Sequence, residues 1–173
     1  MALANGDYKA IEDKVVETLL DDTDTGGLKE TGSEPVATIT AGDEEIIKTF
    51  GQSRFPAILV RAASKTESPA RPAYALIKSY SLAITALDRG MDRTALETSI
   101  RKIAARVEIV IREQTRTDKQ FKGLPDQVDG SEGVMVASVA KTAFSETKAE
   151  QGEVMARAKI EAMIQIPCAF RYD

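Results

Sequence analysis

The fold is decided by the stretch VMARAKIEAMIQI, residues 154–166. Every even position in it is valine, alanine or isoleucine, whereas the odd positions carry charged, amide and methionine side chains. Because successive side chains of a β-strand point to opposite faces, this alternation predicts a strand with one buried face. Pro167 is expected to end it, since proline cannot donate a hydrogen bond to a sheet. The chain therefore builds a sheet with one strongly apolar side.

Two amphipathic helices are available to cover that side. Asp7 is a suitable N-cap, and apolar residues spaced by three and four positions predict a helix from about Tyr8 to Leu20. Asp92 caps a second helix. Its apolar stripe is Leu96, Ile100, Ile103, Val107 and Ile111. We expect both helices to pack on the sheet.

Three further segments are expected to be strands. Phe55 to Arg61 has the pattern of a buried strand entered through a proline, and a longer alternating strand begins at Tyr74. Gly133 to Phe144 is a strand of uncertain phase. Weaker patterns favour a short strand within Val36 to Thr40 and a brief helix from Glu44 to Phe50. The order of elements indicates an α+β fold in a single domain, residues 1–173, with an antiparallel sheet and helices on one face.

Polar segments with little periodicity join these elements. Ala62 to Arg71 is interpreted as a hairpin connection or an arm, and Ser145 to Gln151 as a polar connection. Thr115 to Glu132 is a longer loop, and loops of that length in compact domains are usually functional or disordered. We expect long loops or arms here, with disorder as the alternative.

The composition argues against several classes of protein. The 173 residues are 43% hydrophobic and carry a formal charge of −4, which is unlike a protein that grips nucleic-acid phosphates. With one cysteine, Cys168, no intrachain disulfide can form, and a reducing compartment is expected. Met1 to Asp7 has no signal-peptide pattern, and no apolar run is long enough to span a membrane.

Catalytic chemistry has few candidates in this sequence. There is no histidine, so the usual proton shuttle and the commonest zinc ligand are both missing. Asp22, Asp24 and Gly27 imitate the opening of a calcium loop, but Ser33 stands where the bidentate glutamate belongs. We expect no catalytic site, no cofactor and no metal. A hydrolase that uses acidic side chains stays open as an alternative, because converging carboxylates cannot be read from spacing.

A sheet covered by helices on one side leaves its other face and its edges free for a partner. The odd face of the last strand and the two long loops are therefore the predicted interface. Its candidate residues are Met155, Arg157, Lys159, Glu161, Met163, Gln165, Lys65, Glu67, Lys119 and Phe121. Methionine adapts well to interfaces, although the two methionines could equally be incidental packing under a loop.

Taken along the chain, these segments resemble the tail terminator proteins of tailed bacteriophages. The likeness lies in the N-terminal helix ending near Leu20, the strand FPAILV at 55–60, the long strand SYSLAITALD at 79–88 with its following helix, and the closing strand Ala156 to Ile166. It covers nearly the whole chain. The family has no catalytic or ligand motif that could be carried over to this sequence.

The resemblance implies a virion protein that assembles in the host cytoplasm into a ring, usually a hexamer. Such a ring sits at the head-proximal end of the tail tube, ends tail polymerisation, joins the tail to the head connector and lets DNA pass through its centre. The implied partners are further copies of the chain, the tail tube protein and the head completion or connector protein, and a sheath protein could be another. Neither a membrane nor sequence-specific DNA binding is implied.

Two neighbouring hypotheses remain beside this one. A different head-tail joining protein of the same virion neck would have a similar fold. A cytoplasmic homo-oligomeric binding module with no catalytic activity is the alternative from another class.

Overall fold

The structure, a computed structural model, describes residues 7–70, 75–115 and 136–169. The elements within them are α1 (Asp7–Leu20), β1 (Thr38–Ala41), β2 (Ala57–Ala70), β3 (Ala75–Gly90), α2 (Arg93–Glu113), β4 (Val136–Lys148) and β5 (Val154–Ala169). Short 3₁₀ helices occupy Glu44–Thr49, Gln52–Arg54 and Glu150–Gly152. The α+β fold class predicted from the sequence is confirmed.

The five strands of the described residues form one sheet in the order β1-β2-β3-β5-β4. Three of the four strand pairs are antiparallel, as predicted. The pair β1 and β2 is parallel, so the sheet is mixed rather than wholly antiparallel. A parallel pair needs a crossover between its strands, and residues 42–56 with two of the 3₁₀ helices provide it.

The face predicted to be apolar is the one that α1 and α2 cover. Ile160 and Ile164 of β5 are fully buried there, and every apolar residue of the predicted α2 stripe is buried against the sheet. Helix α1 lies beside α2 over β1 and β2. Its inward residues Ile11, Val15 and Leu19 are fully buried. This side of the molecule is the main hydrophobic core.

A second, smaller cluster lies on the opposite face at one end of the sheet. Phe55, Leu59, Leu87 and Met155 are buried in it. Ile46, Ile47 and Phe50 of the crossover pack against it from outside. The prediction of helices on one face is therefore incomplete, because the 3₁₀ helices of the crossover cover part of the other.

The interpretation of Ala62 to Arg71 as a loop or arm is wrong for the residues that the structure describes. Strand β2 continues to Ala70, which pairs with Ala75 of β3. A bulge between Ala62 and Ser64 shifts the register by one residue. Because a bulge swaps the faces of all later side chains, it hides the alternation of the strand.

Strands β4 and β5 are also longer than predicted. A bulge between Val139 and Lys141 explains the uncertain phase of β4, which runs to Lys148 through part of the expected connection. Strand β5 continues past Pro167 to Ala169. Among the described residues, pairing with β4 extends only to Gln165, and Pro167 lies where β5 has β3 as its described neighbour, a place in which proline is tolerated. Residues 116–132 of the predicted long loop lie outside the described residues.

An ion pair fastens the segment between α1 and β1 to α2. Asp22 accepts hydrogen bonds from Arg106 Nε at 2.8 Å and Nη2 at 2.5 Å, and from the Leu28 amide at 2.8 Å. The Asp22 side chain is only 7% exposed. Asp22, the first residue of the calcium-like pattern, therefore anchors this segment to α2 through its side chain. The hydrogen bond to Asp22 raises the pKa of Arg106 above its ordinary value, so the charge on Arg106 is lost only in strongly alkaline solution.

We predict that Ile160→Asp prevents folding, because it places an unpaired charge in the main core. The expected loss is at least about 4 kcal/mol of unfolding free energy. Glu161→Asp puts the same new side chain at the adjacent exposed position and should change stability by less than about 0.5 kcal/mol. Thermal melting monitored by circular dichroism compares the two variants. Unchanged melting of Ile160→Asp would show that the buried face of β5 is misassigned.

We predict that Asp22→Ala destabilises the chain by about 2–4 kcal/mol, because Arg106 and the Leu28 amide lose a buried partner. The matched control is Asp24→Ala, two residues further along the same segment, where the carboxylate is exposed. The control should change stability by less than about 0.5 kcal/mol. Urea denaturation measures both, and equal midpoints for the two variants would contradict the anchoring role.

Candidate assembly surfaces

The face of the sheet turned away from α1 and α2 is only partly covered. The crossover protects the end that contains Leu59 and Leu87. Beyond it, β2 and β3 present small and mostly hydroxyl-bearing side chains on this face. These are Ser64, Thr66, Ser79, Ser81, Ala83 and Thr85. The exposed Arg61 and the half-buried Ile77 lie on the same face, so the uncovered part along these two strands is mostly polar and holds one cation.

The predicted interface residues of β5 divide into two groups along this face. Met155 is 8% exposed in the second cluster, where it serves as core packing. Arg157 lies under the crossover, with its Nε 2.9 Å from Glu44 Oε1. The odd-numbered residues further along the strand are more open to solvent. Lys159, Glu161 and Met163 are exposed and Gln165 is half-buried.

Two more of the predicted residues lie on the opposite side of the sheet. The bulge in β2 places Lys65 opposite Tyr80, on the face covered by α1. Lys65 Nζ lies 5.7 Å from the centre of the Tyr8 ring and 2.8 Å from Glu67 Oε1. Lys65 and Glu67 thus extend the helix-covered face and do not join the β5 residues. Lys119 and Phe121 lie outside the described residues.

A shallow depression of about 370 Å³ lies between the crossover and the middle of the sheet. Both cations of its lining lie near an acidic side chain. Arg61 Nη1 is 3.9 Å from Asp43 Oδ2, and Lys159 Nζ is 3.9 Å from Glu44 Oε1. Glu44 therefore faces the cations of both Arg157 and Lys159. This arrangement stabilises the crossover on the sheet.

No group of three or more acidic or cysteine side chains within the described ranges is arranged to hold a metal ion. Asp22 and Asp24, the two acids of the calcium-like pattern, have different environments. Asp22 is the partner of Arg106, whereas Asp24 is exposed.

A surface that sequence reasoning missed follows the edge strand β4. Phe144 is 49% exposed on the side of β4 next to α2, and the Arg101 guanidinium lies 5.5 Å from the centre of its ring. Phe144 and Arg101 line a groove with a volume of about 390 Å³. Arg93 Nε contacts Glu146 Oε2 at 2.8 Å in the same groove. An aromatic residue near Thr142, Ser145 and Glu146 was the available signal, but the bulge had obscured the phase of the strand.

Neither a protein-family model nor a curated protein matches the sequence. A solved structure with a similar fold is a chain in the virion of a native gene transfer agent particle. The two chains superpose with a TM-score of 0.50 and share 13% of their residues, and the match covers 92% of this chain and 96% of the other. At that identity the likeness is one of fold. Separately, no helix among the described residues is long and apolar enough to cross a membrane.

We predict that the two methionines of β5 contribute unequally to stability. Met155→Ala should cost about 2–3 kcal/mol, because it leaves a cavity in the second cluster. Met163→Ala is the matched control on the same face and should change stability by less than about 0.5 kcal/mol, since Met163 is 43% exposed. Chemical denaturation of both variants provides the comparison. Similar losses in the two variants would contradict the division of this face.

Proposed function

We propose that this chain is a structural protein of a phage-like particle and that it works by binding copies of itself and other virion proteins. The observation that carries the proposal is the similarity in fold to a chain of a gene transfer agent virion, which extends over nearly the full length of both chains. A match over 92% of this chain and 96% of the other is more extensive than a shared supersecondary motif.

The surfaces of the molecule support a role in assembly. Two sheet edges are open within the described residues, at β1 and at β4, and an open edge offers unpaired backbone groups to another chain. Both cations that line the depression have acidic partners, and no acidic cluster suited to a metal is present in the described part of the chain. The geometry therefore favours contact with other proteins over chemistry on a small molecule.

More specifically, we assign the chain to a ring at the head-proximal end of a tail tube. There it would end tube polymerisation and join the tail to the head connector, with a central channel for DNA. The resemblance in the order of elements to tail terminator proteins supports this assignment. The mildly acidic composition is compatible with a DNA channel, because a duplex must slide past without its phosphates being held.

The proposal predicts a ring-forming oligomer that limits the length of tail tubes. Native mass spectrometry and light scattering over a range of concentrations measure the mass of the purified chain. The matching tube protein is then polymerised with and without it, and tube lengths are measured by electron microscopy. Ile160→Asp at the same concentration controls for nonspecific effects of added chain.

Shorter, capped tubes together with a closed oligomer would support the proposal. A strictly monomeric chain that leaves tube lengths unchanged would overturn it. An oligomer of defined mass that never associates with tubes or connectors would instead favour the homo-oligomeric binding module.

A further inference from the structure

The segment that joins α1 to β1 is strongly acidic. Residues 21–34, here named the acidic loop, contain five acidic side chains and one basic side chain, Lys29. Asp22 is neutralised by Arg106, and Lys29 lies 3.8 Å from Glu34. Asp21 and Asp24 are exposed on the surface of this loop. The acidic loop therefore presents negative charge to its surroundings even after its internal ion pairs are counted.

The opposite flank of the molecule has the opposite sign. Residues 136–148 of β4 carry Lys141 and Lys148, both exposed, and a single acid, Glu146. Glu146 is engaged by Arg93 of α2. The exposed Arg101 adds a further cation above the ring of Phe144. We name the surface formed by Arg101, Phe144 and Lys148 the β4 flank; Lys141 lies on the other face of β4, opposite Glu161 of β5.

The acidic loop and the β4 flank lie at the two ends of the strand order. The loop leads into β1, and the Val36 amide after it bonds back to the Leu28 carbonyl at 3.1 Å, which holds the loop beside that edge. Strand β4 forms the other edge, with three strands between it and β1. Within one chain the two surfaces lie on different sides of α2, whose Arg106 binds Asp22 of the loop and whose Arg101 lies over Phe144 of β4. Between two copies they can meet.

Each of the two surfaces also has an exposed apolar side chain. Phe144 is 49% exposed on the β4 flank, and Leu20, directly before the acidic loop, is 39% exposed. An aromatic ring with cations on one side and a leucine with carboxylates on the other are complementary in both polarity and charge. This complementarity favours a second copy of the chain as the occupant of the β4 flank.

We propose that the β4 flank of one copy docks on the acidic loop of the next copy. The contact joins two different surfaces, so it is heterologous, and repeating it generates a ring when the rotation closes. It would also shield the open edge of β4 from unwanted pairing. The inference rests on the proposed function, because it specifies which surfaces hold the subunits of that ring together.

Charge reversal on each side tests this contact. Arg101→Glu with Lys148→Glu reverses the β4 flank, and Asp21→Lys with Asp24→Lys reverses the acidic loop. Each double variant should raise the protein concentration needed for assembly at least about tenfold, because like charges then face each other. The chain with all four substitutions should recover most of the loss, since the pairing is restored with its signs exchanged.

The control for the β4-flank variant is Lys9→Glu with Lys102→Glu, which makes the same change in net charge on exposed positions of α1 and α2. This control should assemble like the unmodified chain. Analytical ultracentrifugation gives the assembly midpoint, and circular dichroism checks that every variant is folded. Assembly of the unmodified chain should also weaken as salt is raised, because salt screens exposed charges.

The outcomes separate this inference from the proposed function. If the unmodified chain forms a ring and charge reversal on either surface leaves its midpoint unchanged, the contact is wrong while the structural role stands. Loss of assembly in both double variants without recovery in the combined variant would also reject the pairing of these two surfaces. A chain that is monomeric under all conditions rejects both proposals.

Discussion

In the ladder between β3 and β5, sixteen residues of one strand face sixteen of the other, and the register of this ladder arranges the remaining elements. It places Ile84 opposite Ile160 and Tyr80 opposite Ile164, so the buried side chains of both strands share one face. A slip by one residue would turn that entire set toward solvent. The burial of α2 therefore depends on this register, because its apolar stripe packs on the face that the ladder creates.

The same ladder has a different consequence on its other face. The parallel pairing of β1 with β2 sends residues 42–56 across that face, where they cover Leu87 and Met155. Arg157 then finds Glu44 as its partner, and the strand emerges from cover only at Lys159. One alternating strand thus serves core packing at one end and surface at the other, and the crossover sets the boundary.

Whether an element could be predicted from the sequence depends on the range of the interactions that form it. The helices α1 and α2 and the strand β5 were predictable, because their periodicity is unbroken. The far half of β2 and the phase of β4 were not, because bulges after Ala62 and Val139 exchange the two faces within each strand. The pairing of Asp22 with Arg106, 84 residues apart, leaves no local signal. Met155 and Met163 both occupy odd positions of the alternation in β5, and only the fold shows that one is buried and the other exposed.

The mixed sheet has one helix-covered face, and its flanks carry opposite charge. We propose that these flanks join copies of the chain into a ring, which makes it a ring-forming structural protein. An electron-microscopy reconstruction of the purified, assembled chain tests that claim most directly. We expect a closed ring in which β4 of each subunit faces residues 21–34 of its neighbour. Monomers at every concentration, or a compact assembly without a central opening, would contradict it.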